Sequence, residues 1–339
     1  MFKGKSLLIT GGTGSFGKAF VSKILNNFDI KRLVVFSRDE LKQFEMSNAE
    51  PFKKHSEKLR FFLGDVRDFD RLKRALNNID IVIHAAALKQ VPAAEYNPME
   101  FIKTNINGAQ NLIEACIDRN IKKVIALSTD KAASPINLYG ATKLCSDKLF
   151  IAANYYAGMS DFKFSVVRYG NVMGSRGSVI PFFKNILENS KKPFPITDER
   201  MTRFNISLDQ SVETVLFALK DQMGGEIFVP KLHSYKIMDI CKALDNKRKI
   251  KIIGIRAGEK IDEEMITIHD GANTFDIGEY YMILPSRQEQ QNKILRYFRK
   301  KYKIKKMGSN FSYNSGNNQK FLTIKQLKKT LINFKGDKK

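Results

Sequence analysis

The sequence of 339 residues contains no tryptophan, only three cysteines and only four histidines. Cys116, Cys145 and Cys241 are odd in number and widely spaced, which excludes a disulfide framework and favours reduced thiols in a cytoplasmic protein. The histidines stand apart, without the spacing of metal ligands. We therefore predict a protein that has neither structural disulfides nor a metal site.

Long hydrophobic runs are also missing. No apolar run approaches the ~20 residues that a membrane-spanning helix needs. Met1 stands almost directly before the first predicted strand, which leaves no room for a signal peptide, so we expect a cytoplasmic location. Hydrophobic residues nevertheless make up 43% of the chain, enough for a nucleotide-binding domain and a smaller lobe.

Acidic residues are few, because 35 carboxylates oppose 58 lysines and arginines and leave a net charge of +23. Such a field attracts anionic ligands. Eight basic residues fall between Lys293 and Lys306 and are interleaved with aromatic residues, a pattern that also occurs in segments that bind RNA or anionic membranes. A solvated edge in a lysine-rich chain is the favoured interpretation, so no nucleic-acid partner is expected.

A glycine-rich turn near the amino terminus is the first positive signal. The apolar run Ser6–Thr10 predicts a buried strand, and a helical pattern follows through Leu25. Between them, the spacing of Gly11, Gly14 and Gly17 permits a tight turn, close approach of the backbone to a pyrophosphate, and close packing of helix on strand. The turn therefore predicts dinucleotide binding at the helix N-terminus. The predicted contacts are Gly11, Thr13, Gly14, Ser15, Phe16 and Gly17.

The end of the second predicted strand distinguishes the two nicotinamide cofactors. A carboxylate there would accept hydrogen bonds from the ribose 2′-hydroxyl of NAD. This sequence instead has Ser37 and Arg38, with Lys42 one turn further on, and a guanidinium binds a 2′-phosphate in a bidentate fork. NADP is therefore favoured, although Asp39 and Glu40 leave NAD open as the alternative.

Strands and helical patterns continue to alternate, which predicts an α/β fold with a doubly wound parallel sheet and helices on both faces. In such sheets ligands bind at the carboxyl ends of the strands. The predicted strands that end at Leu63 and His84 are followed by an acidic residue and by three alanines, and an asparagine lies in the next helical stretch. The predicted cofactor contacts here are Asp65, Val66, Ala85, Ala86, Ala87 and Asn105.

We expect the chain to divide into a nucleotide-binding part and a smaller mixed α/β lobe. Residues 1–165 hold most of the nucleotide-binding units, and residues 166–339 form mainly the substrate lobe and a C-terminal extension, while later segments complete the sheet. Residues 304–322, rich in glycine, serine and asparagine, predict a loop. Thr323 and Gln326 then predict a capping box for a terminal helix.

One short stretch carries most of the candidate chemistry. An apolar strand delivers Thr129, Asp130 and Lys131 to a strand end, which supplies a candidate acid and a candidate base. Tyr139 and Lys143 follow at i and i+4, so their side chains leave the same face of a helix. Because an ammonium beside a phenol favours the phenolate, we predict that Lys143 lowers the pKa of Tyr139 from its usual value of about 10.

Together these motifs resemble the extended short-chain dehydrogenase/reductase superfamily and, within it, the inverting UDP-N-acetylglucosamine 4,6-dehydratases. The likeness runs from Lys3 to about Glu264 and resumes at residues 311–313. Besides the glycine turn and the strand-end cluster, it rests on Arg168-Tyr169-Gly170-Asn171-Val172, Met201-Thr202-Arg203-Phe204 and Arg256-Ala257-Gly258-Glu259-Lys260. Gln90 and Asp262 depart from histidines that are common at these places in the family.

The resemblance implies a role for each residue of the cluster, Thr129 included. NADP takes a hydride from C4 of the sugar and returns it to C6, Tyr139 receives the C4 hydroxyl proton, and Lys143 holds the nicotinamide ribose. Lys131 removes the proton at C5 and Asp130 protonates the departing C6 hydroxyl, after which C5 is reprotonated from the opposite face. These roles require the pKa of Lys131 to fall well below about 10.4 and that of Asp130 to rise above about 3.9.

The resemblance also implies a UDP-sugar substrate, a homo-oligomer such as a hexamer, and a place at the start of pseudaminic acid synthesis, which supplies flagellin or surface glycans. Cationic and amide side chains are needed to bind the diphosphate, and a carboxylate suits a ribose hydroxyl. The implied substrate contacts are Lys89, Asn171, Val179, Thr197, Arg203, Arg256 and Glu259.

Two alternatives stay open. The nearer is another reaction of the same superfamily: related retaining dehydratases carry an Asp-Glu pair where this sequence has Asp130-Lys131, and a C4-epimerase needs no such pair. The farther alternative is a non-catalytic protein that keeps the fold and binds NADP or RNA. The presence of Lys131, Tyr139 and Lys143 favours an enzyme over the second alternative, although fold alone does not determine function.

Overall fold

The structure is a computed structural model that describes residues 1–157, 161–173 and 179–333. Buried strands alternate with helices along most of the chain, as the sequence predicts. The strands are β1 (Ser6–Thr10), β2 (Arg32–Ser37), β3 (Leu59–Leu63), β4 (Ile81–His84), β5 (Lys123–Thr129), β6 (Lys163–Tyr169), β7 (Phe194–Ile196), β8 (Thr202–Asn205), β9 (Ile227–Pro230), β10 (His233–Lys236), β11 (Ile250–Ile252), β12 (Glu264–Ile266), β13 (Thr274–Asp276), β14 (Tyr280–Ile283), β15 (Lys305–Lys306) and β16 (Tyr313–Asn314).

The helices connect these strands and cover the sheet. They are α1 (Ser15–Asn27), α2 (Glu40–Asn48), α3 (Phe69–Ala75), α4 (Val91–Tyr96), α5 (Pro98–Phe101), α6 (Gly108–Asp118), α7 (Leu138–Tyr156), α8 (Val179–Asn189), α9 (Leu208–Asp221), α10 (Ile237–Leu244), α11 (Ile268–Gly271), α12 (Gln288–Arg299) and α13 (Ile324–Asn333). Short 3-10 turns span Lys53–His55 and Asp130–Ala132, and a π-helical segment spans Ile102–Asn107.

Within the described residues, ten strands form one sheet in the order β15-β13-β14-β9-β6-β5-β4-β1-β2-β3. The strands from β3 to β9 in this order pair in parallel, and β14, β13 and β15 extend one edge in antiparallel fashion. The predicted doubly wound parallel sheet is therefore confirmed. Chain order reverses between β1 and β4, the switch point outside which such sheets bind ligands.

The central strands are continuous apolar runs because both of their faces are covered. All five residues of β1 and all four of β4 are buried. Helix α1 lays Phe20, Val21 and Ile24 against the sheet, each fully buried. This rigid layer holds the strand ends, and the side chains on them, at one edge.

A second, smaller hydrophobic core lies outside the sheet. It gathers Phe183 from α8, Phe194 from β7, Ile240 from α10 and Leu327 from α13. The predicted capping box is confirmed at the start of α13, where Thr323 and Gln326 hydrogen-bond each other's backbone N–H groups. The division at residue 165 stays a prediction.

The segment 304–322, predicted to be a loop, contains two short strands, so that prediction is partly wrong. Strand β15 pairs with β13 at the sheet edge, and β16 pairs with β12. Two-residue strands with glycine, serine and asparagine around them have no recognisable periodicity, and only the partner strands place them.

The aromatic residues of the basic segment face the protein interior. Phe298 of α12 is fully buried and contacts Phe228, while the hydroxyl of Tyr302 donates to Asp221 at 2.8 Å. Lys301 also binds Asp221, at 2.7 Å. The aromatic residues of this segment therefore pack against the protein, as expected for the apolar face of an amphipathic helix and the turn that follows it. Across residues 1–157, 161–173 and 179–333, no helix combines the length and apolarity needed to cross a bilayer.

Candidate active site

The glycine turn and the carboxyl ends of the parallel strands enclose a cleft of about 510 Å³, here called the cofactor cleft. Each predicted cofactor residue except Asn105 lines it. The lining includes Gly11, Thr13, Gly14, Ser15, Phe16, Gly17, Ser37, Arg38, Lys42, Asp65, Val66, Ala85, Ala86, Ala87, Tyr139 and Lys143, together with Lys89 and Thr129.

The turn is shaped to fit a pyrophosphate. Gly11 has φ +67°, and a Cβ on it would lie 2.8 Å from the backbone nitrogen of Ala86. A Cβ on Gly17 would lie 2.4 Å from the carbonyl oxygen of Gly12, so helix and turn touch at that point. No side chain caps the first turn of α1, whose N-cap residue is Gly14. The free N–H groups therefore face the cleft and can bind an anion.

The end of β2 presents positive charge to this cleft. The Arg38 side chain is 53% exposed, and its Nη1 lies 3.6 Å from Asp65 Oδ2. The carboxylate of Asp39 accepts the backbone N–H of Lys42 at 2.9 Å and forms an ion pair with its ammonium. Asp39 therefore caps α2 rather than pointing along the strand. This arrangement leaves the guanidinium as the group best placed for a ribose substituent.

Two of the predicted cofactor residues, Asp65 and Asn105, are held by hydrogen bonds to neighbouring residues. Burial acts to raise the pKa of Asp65, but hydrogen bonds from Arg67 outweigh it and lower that pKa below its ordinary value. Asn105 is only 1% exposed, and its amide is bonded to the N–H and carbonyl of Leu88 and to Thr142. These hydrogen bonds fix the backbone after β4, and the predicted cofactor contact of Asn105 stays a prediction.

Asp130 lies at the turn that follows β5, where a buried strand meets a 3-10 turn. Its side chain is fully buried, and Oδ1 accepts from Thr129 Oγ1 at 2.9 Å and from Lys131 Nζ at 3.2 Å. Burial raises the pKa of Asp130, and the nearby charge of Glu263 acts in the same direction. A raised pKa is what a general acid requires.

Lys131 is held by three oxygen atoms. Its Nζ lies 3.2 Å from Asp130, 3.1 Å from Glu263 and 3.4 Å from Asn171 Oδ1. Burial acts to lower the pKa of Lys131, but the charges of Asp130 and Glu263 outweigh it and raise the pKa above its ordinary value. These charges therefore favour the ammonium form of Lys131, opposite to the lowered pKa that the predicted role of a base requires.

The prediction that the pKa of Tyr139 is lowered is wrong. Burial raises the pKa of Tyr139 to about 12, and the charge of Lys131 and a hydrogen bond with Thr129 offset this only in part. Lys143 shares the buried helix face but makes no comparable contribution. Burial lowers the pKa of Lys143, and the charge of Asp147, one turn further along α7, partly offsets that.

A second cleft of about 560 Å³, here called the substrate cleft, opens beside the first. Asn171 lines both clefts, whereas Thr129 lines the cofactor cleft and Lys131 the substrate cleft. Arg203 is held by the carbonyls of Thr202 and Ile261, whereas Arg256 is 58% exposed. The predicted substrate residues that line this cleft are Asn171, Val179, Thr197, Arg203, Arg256 and Glu259, and Lys89 lines the cofactor cleft.

Glu263 is a candidate residue that the sequence reasoning missed. It lines the substrate cleft, its side chain is only 4% exposed, and it contacts both Lys131 and Arg203. The sequence offers two adjacent glutamates after the Gly-Glu-Lys motif, and nothing in their spacing tells which one faces inward. Glu264 instead accepts a hydrogen bond from Ser134.

Comparisons with known proteins agree with this architecture. A family model described as "Polysaccharide biosynthesis protein" matches residues 7–285. The chain is 54% identical to a protein from Campylobacter jejuni named UDP-N-acetylglucosamine 4,6-dehydratase (inverting), over 96% of this chain and 97% of that one. It is 45% identical to a protein from Rickettsia canadensis named UDP-glucose 4-epimerase, over 84% of each.

A solved structure extends the likeness to three dimensions. The X-ray structure of Pen from Bacillus thuringiensis superposes with a TM-score of 0.86 at 36% identity, covering 98% of both chains. The matches span nearly the whole sequence, both clefts included. The chain belongs to the polysaccharide biosynthesis protein family, with the fold of the extended short-chain dehydrogenase/reductases.

Proposed function

We propose that this protein catalyses the 4,6-dehydration of UDP-N-acetylglucosamine with inversion at C5 and uses NADP as its cofactor. The observation that carries the proposal is the Asp130–Lys131 ion pair, in which Asp130 is fully buried and Lys131 lines the substrate cleft, directly after Thr129 of the cofactor cleft. The likeness to an inverting dehydratase, at 54% identity over nearly the full length, supports the same assignment.

The cofactor cleft suits a nicotinamide dinucleotide, which when bound would accept a hydride from C4 of the sugar and return it to C6. Gly11, Gly14 and Ser15 would bind the diphosphate, and Arg38 the 2′-phosphate that distinguishes NADP. Tyr139 accepts the C4 hydroxyl proton, for which it must first lose its own. Further positive charge in the cleft would lower the pKa of the phenol and so favour the release of its proton.

Asp130 and Lys131 divide the elimination between them. One proton moves from Lys131 Nζ to Asp130 Oδ1 across 3.2 Å, which leaves a neutral amine and a neutral acid. The amine then removes the C5 proton, which the 4-ketone has acidified, and the acid protonates the C6 hydroxyl so that water leaves. Asp130 Oδ2 is buried and has no hydrogen-bond partner in the described part of the chain, so the carboxyl group keeps one oxygen unpaired.

The substrate cleft supplies groups for the nucleotide half. Arg256 is exposed at the cleft and available to a diphosphate, while Arg203 is already oriented by two backbone carbonyls. Glu259, which lies 3.9 Å from Arg256, would accept a ribose hydroxyl. Asn171 and Thr197 add neutral hydrogen-bonding groups, Val179 an apolar contact, and Lys89 a cation from the neighbouring cleft.

We further infer a cytoplasmic homo-oligomer that begins pseudaminic acid synthesis. Free Cys116 and Cys241, both buried, fit a reducing compartment. Tyr96 and Met99 are 87% and 55% exposed on neighbouring short helices, which fits a surface that a second copy covers. The pathway is inferred from the resemblance to the inverting dehydratases alone.

The test is an NMR time course of UDP-N-acetylglucosamine and NADP with purified protein in deuterated water. We expect a new methyl signal at C6 and an inverted C5 that bears deuterium. Lys131→Ala should keep C4 oxidation and lose deuterium incorporation at C5. Wash-in at the wild-type rate in this variant would contradict the role of Lys131, and a methyl product with retained C5 would indicate a retaining dehydratase.

A C4-epimerase is the second candidate, because relatives at 45% identity carry that name. Epimerisation needs no proton exchange at C5 and forms no methyl group. The same NMR experiment separates the two: a C4-inverted sugar that keeps its C6 hydroxyl would establish the epimerase and contradict the dehydratase.

A further inference from the structure

Glu263 lies on the inner wall of the substrate cleft, just before β12. Its Oε1 is 3.1 Å from Lys131 Nζ and 3.5 Å from Arg203 Nε, in surroundings that leave its side chain 4% exposed. Its Oε2 is buried and has no hydrogen-bond partner among the residues that the structure describes. The carboxylate therefore faces two cations from a desolvated position, where charge interactions are strong.

The backbone places Glu263 independently of these cations. Its N–H donates to Ser315 Oγ at 2.9 Å, and its carbonyl accepts from the Ser315 N–H at 2.8 Å. Ser315 Oγ in turn lies 2.6 Å from the hydroxyl of Thr202, the residue before Arg203. The carboxylate is thus held against Lys131 by segments far apart in the sequence.

The two carboxylates beside Lys131 differ in charge state. Burial acts to raise the pKa of Glu263, but the charges of Lys131 and Arg203 outweigh it and lower that pKa, so Glu263 stays ionised. Asp130 carries a proton when it acts as the acid and cannot then balance a cation. Of the two carboxylates that pair with Lys131 in the described part of the chain, Glu263 is the one that keeps its negative charge throughout the elimination.

Building on the proposed dehydration, we propose that Glu263 is the positioning residue of the catalytic base: it aims the Lys131 amine into the cleft and stabilises the ammonium that forms there. In this step the C5–H bond breaks and its proton forms an N–H bond on Lys131. The electron pair left at C5 expels the C6 hydroxyl, which takes the proton of Asp130 and departs as water. Glu263 itself exchanges no proton, much as a third group orients and stabilises the base in nucleophile–base sites.

The test is Glu263→Gln, which keeps the shape of the side chain and removes its charge. We expect the rates of C5 deuterium exchange and methyl formation to fall about 100-fold or more, with KM nearly unchanged. Losing the negative neighbour lowers the pKa of Lys131, so the ascending limb of the pH–rate profile shifts to lower pH. Asp130, Arg203, Lys260 and Tyr235 face the same cluster and stay in place.

Glu264→Gln is the matched control, because Glu264 is adjacent but bonds to Ser134, and it should keep the wild-type rate and limb. Glu263→Asp keeps the charge and should lower the rate without moving the ascending limb of the pH–rate profile. This variant also tests the proposal if the glutamine variant does not fold. Exchange within twofold of wild type in Glu263→Gln, or an unmoved limb, would overturn the proposal. Wild-type protein that forms no methyl product would instead sink the proposed dehydration.

Discussion

The cofactor cleft and the substrate cleft are adjacent and of similar volume, about 510 and 560 Å³, yet they are built differently. The first is lined by glycine backbone, small side chains and Tyr139, whose phenol burial favours in its neutral form. The second centres on paired charges, Lys131 and Arg203 against Glu263. Backbone shape suits recognition of a bulky cofactor, whereas paired charges suit proton transfer. The two linings therefore fit the two tasks that we propose for the clefts.

The largest test removes a buried ion pair that joins β6 to α7 and β12. Arg168 of β6 is 2% exposed, binds Asp147 of α7 at 3.2 Å and donates to the carbonyl of Met265 at 3.0 Å. Arg168→Met would leave the Asp147 carboxylate buried without its cation, and we expect the free energy of unfolding to fall by about 3–5 kcal/mol.

Urea unfolding measures this loss, with Lys5→Met as the control. Lys5 pairs with Asp80 at 2.9 Å, but both side chains are more than a third exposed, so its loss should cost less than about 1 kcal/mol. Equal losses of unfolding free energy in the two variants would contradict a larger contribution from the buried Arg168–Asp147 pair.

A smaller effect should appear in cofactor preference. Arg38→Ala removes the guanidinium that we assign to the 2′-phosphate, so NADP affinity should fall about 10- to 100-fold while NAD affinity changes little. Fluorescence titration with both cofactors measures the ratio. Arg60→Ala, whose side chain bonds to the carbonyls of Ser56 and Leu59, is the control. Equal losses for NAD and NADP would contradict the assignment.

The smallest effect is a pH dependence from His84, beneath the cofactor cleft. Burial, followed by the charge of Lys143, lowers the pKa of His84 to about 3 from the ordinary 6.5. Between those values the unfolded chain binds a proton that the folded protein does not, so stability is complete above pH 6.5. It then falls as pH drops towards 3, by at most about 1.4 kcal/mol per pH unit.

Unfolding curves between pH 7 and pH 5 check this slope. The variant His84→Gln should lose that part of the slope, and the surface substitution His55→Gln should leave it intact. An unchanged slope in the His84 variant would contradict the idea that buried His84 stays neutral in the folded protein.

Local motifs predicted the cofactor side well. The turn of Gly11, Gly14 and Gly17 lies between β1 and α1 as expected, because strand, turn and helix are consecutive in the chain. The cofactor contact of Asn105 stays a prediction, because its side chain, in a π-helical segment, bonds to the backbone of Leu88.

Charge states could not be predicted in the same way. The spacing of Tyr139 and Lys143 was right, but burial raised the pKa of the phenol, and the sequence contains no measure of burial. The charges of Asp130 and Glu263 raise the pKa of Lys131, and Glu263, 3.1 Å away, is 132 positions further along the chain.

The sequence by itself determined the parallel sheet, the nucleotide turn and the identity of the acid–base candidates, because each depends on residues that are neighbours along the chain. Only the tertiary structure decided which glutamate faces Lys131, which arginine is already occupied by backbone carbonyls, and which ionisable groups keep their protons. The physical reason is that desolvation and pairing depend on distance in space. In this fold, those distances are set by strands and turns that the chain brings together from far apart.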